Sequence, residues 1–394
     1  MAHAEIVTTR IPFARLSSYY FFYFTLFGSL LPFFGLYLQS LDFSALQIGQ
    51  VMAVLIGTKI VAPYIWGWLA DYSGRTMRWV RWCIGISTLA SVGLLWTQSF
   101  GGILLVVALF SFFWHGGLPL FEGYTFSQLG KQKARYGQVR LWGSIGFIVA
   151  VLLLGEVLER WGIDWLPWAV IGLFFALWLT SWTLQEISTR PGDQASLAFV
   201  SILRSPMVWS LLLVAFLAQF SHGTYYNFYS IDLVANGYGK NTIAWLWALG
   251  VAAEIAVFFW MARLFQCCSV RMLIIASLLL TLLRWQLTLW GVASLPIMMF
   301  AQLLHAASFG LFHAAALHLI DHHFVGKNRG RGQAVYAATS QGLGGSLGAL
   351  AAGLSWTLGG AMLSYAVSSV AVLLALIIAW RWLSPPRHED TEFI

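Results

Sequence analysis

Apolar residues run along this chain in long unbroken stretches, neither alternating as in strands nor striped as in the helices of a water-soluble core. Over a window of about 19 residues the stretches fall at 17–38, 46–68, 79–97, 102–127, 138–157 and 165–184. A polar segment, Gln185 to Ser205, carries Pro191 and precedes Pro206. A second series follows at 207–228, 242–262, 272–290, 296–320, 333–355 and 359–382. Each stretch matches the roughly 20 residues a helix needs to cross a bilayer. Backbone amides in hydrocarbon must be satisfied within the segment or in a closed barrel, and continuous runs of this length mean helices. The pattern predicts an all-α membrane protein of twelve transmembrane helices in two six-helix bundles. The first bundle takes residues 1–184, a cytoplasmic linker 185–206, and the second bundle with a cytoplasmic tail 207–394.

Composition narrows the class. The 394 residues are 59% hydrophobic and 9% charged, against roughly 25% charged in a soluble domain. Twelve spans use nearly the whole chain, which leaves no domain for a signalling protein. The net charge of +7 follows from placement. Arg10, Arg15, Arg75, Arg78, Arg81, Lys131, Lys133 and Arg135, and later Arg263, Arg271, Arg329, Arg331, Arg381 and Arg387, fall on one side, and only Arg160 and Lys240 on the other. Basic loops stay cytoplasmic, so both termini are expected inside, and no nucleic-acid partner is needed. The polar first fourteen residues read as a cytoplasmic tail without a cleavable signal peptide. Cys267 and Cys268 would be cytoplasmic neighbours, and with Cys83 they predict no structural disulfide.

Ionisable side chains at bilayer depth cost on the order of 3 kcal/mol on translocon scales. Lys59, Glu122, Arg140, Glu254 and Arg284 stand there. Glu122 and Arg140 each sit nine residues from Lys131, hence about 13 Å from that turn, and can meet. Glu254 and Arg284 each sit fifteen residues from Ser269, about 22 Å deep, and can also meet. Counted from the turn near Ser294, His305 is level with Arg284, and His313 lies on roughly the same side of its helix. The alternative to function is a static ion pair between neighbouring helices, and for Lys59 a side chain snorkelling to a wet cavity. A carboxylate facing Arg in a low-dielectric cavity can exchange that partner for a proton, which couples proton binding to helix movement and to a substrate near the midplane.

Gly67-Trp68-Leu69-Ala70-Asp71-Tyr72-Ser73-Gly74-Arg75-Thr76-Met77-Arg78 resembles the signature G-x-L-x-D-x-x-G-R-x-x-x-R of the major facilitator superfamily. Gly67 is expected to allow close helix approach, Gly74 a turn, and Asp71 to cap the neighbouring helix and pair with Arg. With Arg75 they would form a conformational latch. Within that superfamily the chain is similar to the phenylpropionate transporter family, relatives of lactose permease-like oligosaccharide/proton symporters. Tyr136-Gly137-Gln138-Val139-Arg140-Leu141-Trp142-Gly143-Ser144, Leu246 to Glu254, Leu283-Arg284-Trp285 and Gln302-Leu303-Leu304-His305 carry the resemblance.

It implies substrate binding by Glu122, Arg140, Phe147, Lys59 and Tyr225, and proton coupling through Glu254, Arg284, His305 and His313. Where lactose permease-like proteins hold a second carboxylate and an Asp–Lys pair, this chain has Ser308, Tyr229 and Gln302. Coupling would then rest on Glu254 or a His, and an aromatic acid suits the site better than a sugar. The expected activity is a secondary active transporter, a proton symporter importing a 3-phenylpropionate-like aromatic acid by alternating access. It would act as a monomer in a bacterial inner membrane, with no cofactor beyond the proton gradient. A nucleoside or oligosaccharide symporter and an efflux pump of the same fold are the alternatives. Gly344-Gly345-Ser346-Leu347-Gly348 matches the hydrolase pattern G-x-S-x-G but lies inside a small-residue helix with no preceding strand. Gly344 and Gly348 are read as helix-packing positions, and His322 with His323 as a solvated loop without metal.

Overall fold

The structure, a computed structural model, describes residues 11–186 and 198–383. Arg10, Arg190, Pro191 and Arg387, with residues 1–10, 187–197 and 384–394, lie outside the described residues. The first half comprises α1 (Phe13–Ser40), α2 (Ala45–Ser73), α3 (Thr76–Ser91), α4 (Phe100–Leu129), α5 (Tyr136–Trp161) and α6 (Leu166–Trp182). A short linker helix, Ala198–Leu203, leads to the second half. There α7 (Pro206–Ala235), α8 (Lys240–Cys267), α9 (Val270–Gly291) and α10 (Leu295–His323) precede one helical run, Arg329–Trp382. That run breaks at Gly359 and Gly360 into α11 (329–358) and α12 (361–382). Gly360 has φ 60, a left-handed conformation that favours glycine.

Long apolar composition makes these segments helices, and local chemistry ends them. Ser44 and Gln47 form a reciprocal capping box at the start of α2, with Ser44 N donating to Gln47 Oε1 at 2.9 Å. Gly74, φ 64, closes α2 in the left-handed conformation, as the loop signature predicts. Three helices depart from regular geometry in ways that hydropathy does not record. α2 tightens to a 3₁₀ turn at Thr58–Ile60, and π segments interrupt α10 at Ala306–Leu311 and α11 at Ala338–Gly344. Such bulges concentrate at functional sites.

The two six-helix bundles meet through α1 with α7, α2 with α11, and α5 with α8. The tightest of these approaches lie in the helix halves remote from the Arg- and Lys-bearing loops. A β-carbon on Gly49 would stand 2.7 Å from the Ala349 carbonyl oxygen, and one on Gly353 2.8 Å from that of Ala45. At the same end Glu159 Oε2 accepts from the Lys240 amide at 2.5 Å. Asn241 Nδ2 donates to Glu156 Oε2 at 2.8 Å, and Arg160 pairs with Glu156. At the basic end, Arg15 and Arg81 bond to carbonyls of Thr183 and Leu184 within the first half.

Two expectations for the loop after α2 are corrected. A β-carbon on Gly67 would meet nothing within 4 Å, so this glycine permits no close approach here. Asp71 is exposed and makes no side-chain hydrogen bond or ion pair with another described residue. The cap of α3 comes instead from Glu186, whose carboxylate accepts from Met77 N at 2.9 Å and Arg78 N at 2.7 Å. Glu186 follows α6, 109 residues after Met77 in sequence, which local spacing cannot foresee. Gly344 and Gly348 do serve packing: β-carbons there would lie 2.7 and 2.4 Å from the carbonyl oxygens of Phe216 and Phe220 on α7.

Candidate functional site

In the second half, α7, α8, α9 and α10 converge on one buried polar cluster. Arg284 on α9 is 1% exposed, and its guanidinium is held by neutral groups. Nε donates to the Ala301 carbonyl at 3.1 Å, Nη1 to Ser308 Oγ at 3.1 Å and Nη2 to Gln302 Oε1 at 3.4 Å. Its Cζ also lies 4.0 Å from the centroid of the Tyr225 ring, a cation–π arrangement. Tyr225 Oη donates to the same Gln302 oxygen at 3.0 Å, which joins α7, α9 and α10. Glu254 on α8 faces His305, with Oε2 to Nε2 at 3.8 Å.

The expected Glu254–Arg284 ion pair is therefore not formed. Equal depth fixes height along a helix but not direction around it. Arg284 turns toward α10 and α7, where Ser308 and Gln302 supply oxygens at positions that carry charge in lactose permease-like proteins. His305 stacks on Phe309 and Phe309 on His313, with interplanar angles of 8° and 6°. His313 Nδ1 lies 3.0 Å from Tyr336 Oη. A narrow cleft beside them is lined by Gln219, His222, Phe309, His313 and Tyr336.

In the first half, Glu122 accepts from Tyr136 Oη at 3.1 Å and makes no ion pair within 4 Å among the described residues. The expected direct contact with Arg140 is corrected in the same way, since Arg140 stacks its guanidinium 3.8 Å over the Phe24 ring. Its guanidinium also lies 5.7 Å from the Tyr20 ring, which meets Tyr136, the donor to Glu122. Arg140 stands on α5, the helix that packs against α8 of the other half, which carries Glu254. Phe147 is buried, and its backbone carbonyl presses against Gly28. Lys59 is half-buried in the 3₁₀ turn of α2, with Nζ 5.0 Å from the Phe27 ring centroid.

Several polar groups here escaped the sequence reading. Thr58 Oγ1 lies 2.8 Å from Nδ1 of His115, which is itself buried. His222 and Asp232 on α7 are also buried. Asp232 was legible as an acid close to an apolar run, but it falls beyond residue 228, where the hydropathy window closes. His115 gave no signal, because a lone imidazole in a hydrophobic span is usually packing. No group of three or more His, Cys, Asp or Glu among the described residues has metal-site geometry.

Comparison with known proteins agrees with this architecture. The model of the MFS_1 like family matches residues 13–367. The chain is 28% identical over 339 residues to the probable 3-phenylpropionic acid transporter of Escherichia coli (strain K12), covering 82% of this chain and 86% of that one. It is 27% identical over 380 residues to maltose permease of Geobacillus stearothermophilus, covering 92% and 93%. Among solved structures, the nucleoside transporter NupG superposes with TM-score 0.81 at 17% identity over 94% of this chain and 98% of that one. A bacterial homolog of the lysosomal transporter Spinster, inward-facing and unoccupied, gives TM-score 0.70 at 14% identity over 96% and 97%. At such identities these two structures speak to the fold alone.

Proposed function

The chain belongs to the MFS_1 like family, and from that premise we propose that it is a proton symporter importing a small aromatic carboxylate by alternating access. It is a multi-pass transporter of the major facilitator fold, as its relatives are, and not an enzyme. The finer reading rests on one observation. Among the described residues Glu254 is held only by a 3.8 Å contact to His305, while its helix α8 packs against α5 of the opposite bundle, which carries Arg140.

A carboxylate held so loosely can take a proton in one state and face a cation in the other. In this reading Glu254 carries the proton, with His305 and His313 as relays, and Arg284 with Tyr225 fixes the helix-ten geometry around them. Glu122, Arg140, Phe147, Tyr225 and Lys59 line the substrate's path. The aromatic-acid class is supported by the 3-phenylpropionic acid named for the relative from Escherichia coli and by three intramembrane cations, Lys59, Arg140 and Arg284. The bundles, 1–184 and 207–394, would rock about the linker 185–206, with Gly67, Asp71, Gly74 and Arg75 as latch. If the basic loops face the cytoplasm of a bacterial cell, contact at the remote end corresponds to an inward-facing state.

Uptake by proteoliposomes of the full chain under an imposed pH gradient, inside alkaline, tests this. Uphill accumulation of 3-phenylpropionate that collapses with a protonophore is the expected result. Accumulation of maltose or a nucleoside instead, or gradient-independent equilibration, would overturn it.

A further inference from the structure

The Thr58–Lys59–His115 cluster lies apart from the proton site. We propose that it is the anion subsite of this transporter, the place where a substrate's carboxylate is held while its ring lies along Phe27 and Phe24. The inference rests on the organic-acid reading above and names the groups that would enforce it.

The three intramembrane cations differ in how their charge is met. Arg284 gives its donors to Ala301, Ser308 and Gln302. Arg140 stacks on Phe24 and Tyr20, and Tyr20 meets Tyr136, the donor to Glu122, so one carboxylate stands in its aromatic neighbourhood. Lys59 has no carboxylate within 4 Å and no hydrogen bond to another described residue, and its ammonium meets only the face of Phe27, at 5.0 Å. An ammonium half withdrawn from water with no carboxylate beside it carries part of the cost of burial, and an incoming carboxylate offsets it.

The neighbouring imidazole supplies a second contact. Thr58 Oγ1 sits 2.8 Å from His115 Nδ1 and 3.1 Å from the Leu55 carbonyl oxygen. The hydroxyl has one proton to give. While it goes to Leu55, Nδ1–H donates to Oγ1 and Nε2 is bare; turned to Nδ1, with the ring proton moved to Nε2, it makes Nε2–H a donor, and that buried Nε2 has no hydrogen-bond partner among the described residues. A carboxylate offers two oxygens, one for the Lys59 ammonium and one for Nε2–H. His115 stacks on Trp114, with centroids 4.9 Å apart, so its ring is fixed.

The wall beside this pair is aromatic. The Phe27 and Phe24 rings lie 5.5 Å apart, with Lys59 over the first and Arg140 3.8 Å over the second. Arg140 has Glu122 one tyrosine away, whereas Lys59 has no carboxylate within 4 Å among the described residues, so the less compensated positive charge sits at the Lys59 end. That arrangement fits one acidic group on a flat apolar body and disfavours a polyhydroxylated neutral one.

Binding to the purified full-length protein, measured by ligand-induced thermal shift and titration, compares 3-phenylpropionate with its primary amide. The wild type is expected to prefer the acid by about 30-fold or more, the scale of a hydrogen bond to a charged group. Lys59→Gln and His115→Gln should each erase about tenfold of that preference, mainly by weakening the acid, while Lys59→Arg retains most of it. Unliganded melting temperatures check that the variants are folded. A wild type that prefers the acid together with a Lys59→Gln variant that keeps the preference overturns the subsite alone. A wild type indifferent to the carboxylate overturns the organic-acid reading and the subsite with it.

Discussion

Glu254 and Arg284 are level across adjacent helices yet do not touch: the carboxylate stands 3.8 Å from His305 Nε2, and the guanidinium bonds to Ser308 Oγ at 3.1 Å. The arginine is fixed on three sides by neutral oxygens, whereas the acid keeps a loose partner. That asymmetry is what supports the roles proposed above, proton exchange for Glu254 and scaffolding for Arg284.

Glu254→Gln keeps the shape of the side chain and removes its ability to ionise. Counterflow exchange of labelled 3-phenylpropionate, which needs no net proton movement, is expected to persist within about threefold of wild type, while gradient-driven accumulation falls to equilibrium. Equal loss of both modes would mean that Glu254 serves binding or folding instead.

Ser308→Ala deletes the acceptor for Arg284 Nη1 at a site from which water is excluded. Leaving a buried charged donor unpaired costs about 1–3 kcal/mol, so the melting temperature of the detergent-solubilised protein should drop by several degrees. Arg284→Lys should be no milder, since an ammonium cannot replace a fork that bonds Ala301, Ser308 and Gln302 together. A Ser308→Ala variant as stable as wild type would show that the bond contributes little.

Hydropathy and charge made the twelve spans legible to within a few residues at most ends, because hydrocarbon imposes length and helicity directly. The cluster membership of Glu254, Arg284, His305 and Tyr225 was legible as well, from depth and from the resembling motifs. Which of them touch was not. Depth along a helix follows from counting, but Arg284 chose Ser308 and Gln302 by its direction around α9, and the π segment at Ala306–Leu311 alters which residues of α10 face it. The 3₁₀ turn that presents Thr58 to His115 and Lys59 to Phe27 was hidden for the same reason: it preserves hydropathy and alters only backbone geometry.

Gly353→Leu addresses the interface remote from the basic loops. A β-carbon there would lie 2.8 Å from the Ala45 carbonyl oxygen and 2.9 Å from Gly49 Cα. Both are backbone atoms that cannot swing aside. Their ends of α2 and α11 must part, which biases the population toward the conformation open at that end. Spin labels on Glu159→Cys and Asn241→Cys should report a longer mean distance in the Gly353→Leu background. An unchanged distance distribution would mean that the bundles absorb the side chain without opening.

The last contrast separates capping from latching at the basic end. Glu186 caps α3 through Met77 N and Arg78 N, and acceptors at a helix start stabilise it through its unpaired amides and its dipole. Glu186→Ala should therefore lower the melting temperature by a few degrees in whichever state the protein occupies. Asp71, exposed and unbonded in this state, has nothing to lose here, so Asp71→Asn should leave the melting temperature unchanged. If Asp71 is a latch, its partner belongs to the opposite state, and the variant should slow turnover several-fold without altering substrate affinity. Transport rates and binding constants measured on the same preparation decide the matter: a lowered melting temperature with normal turnover would make Asp71 a stabilising residue and remove the latch.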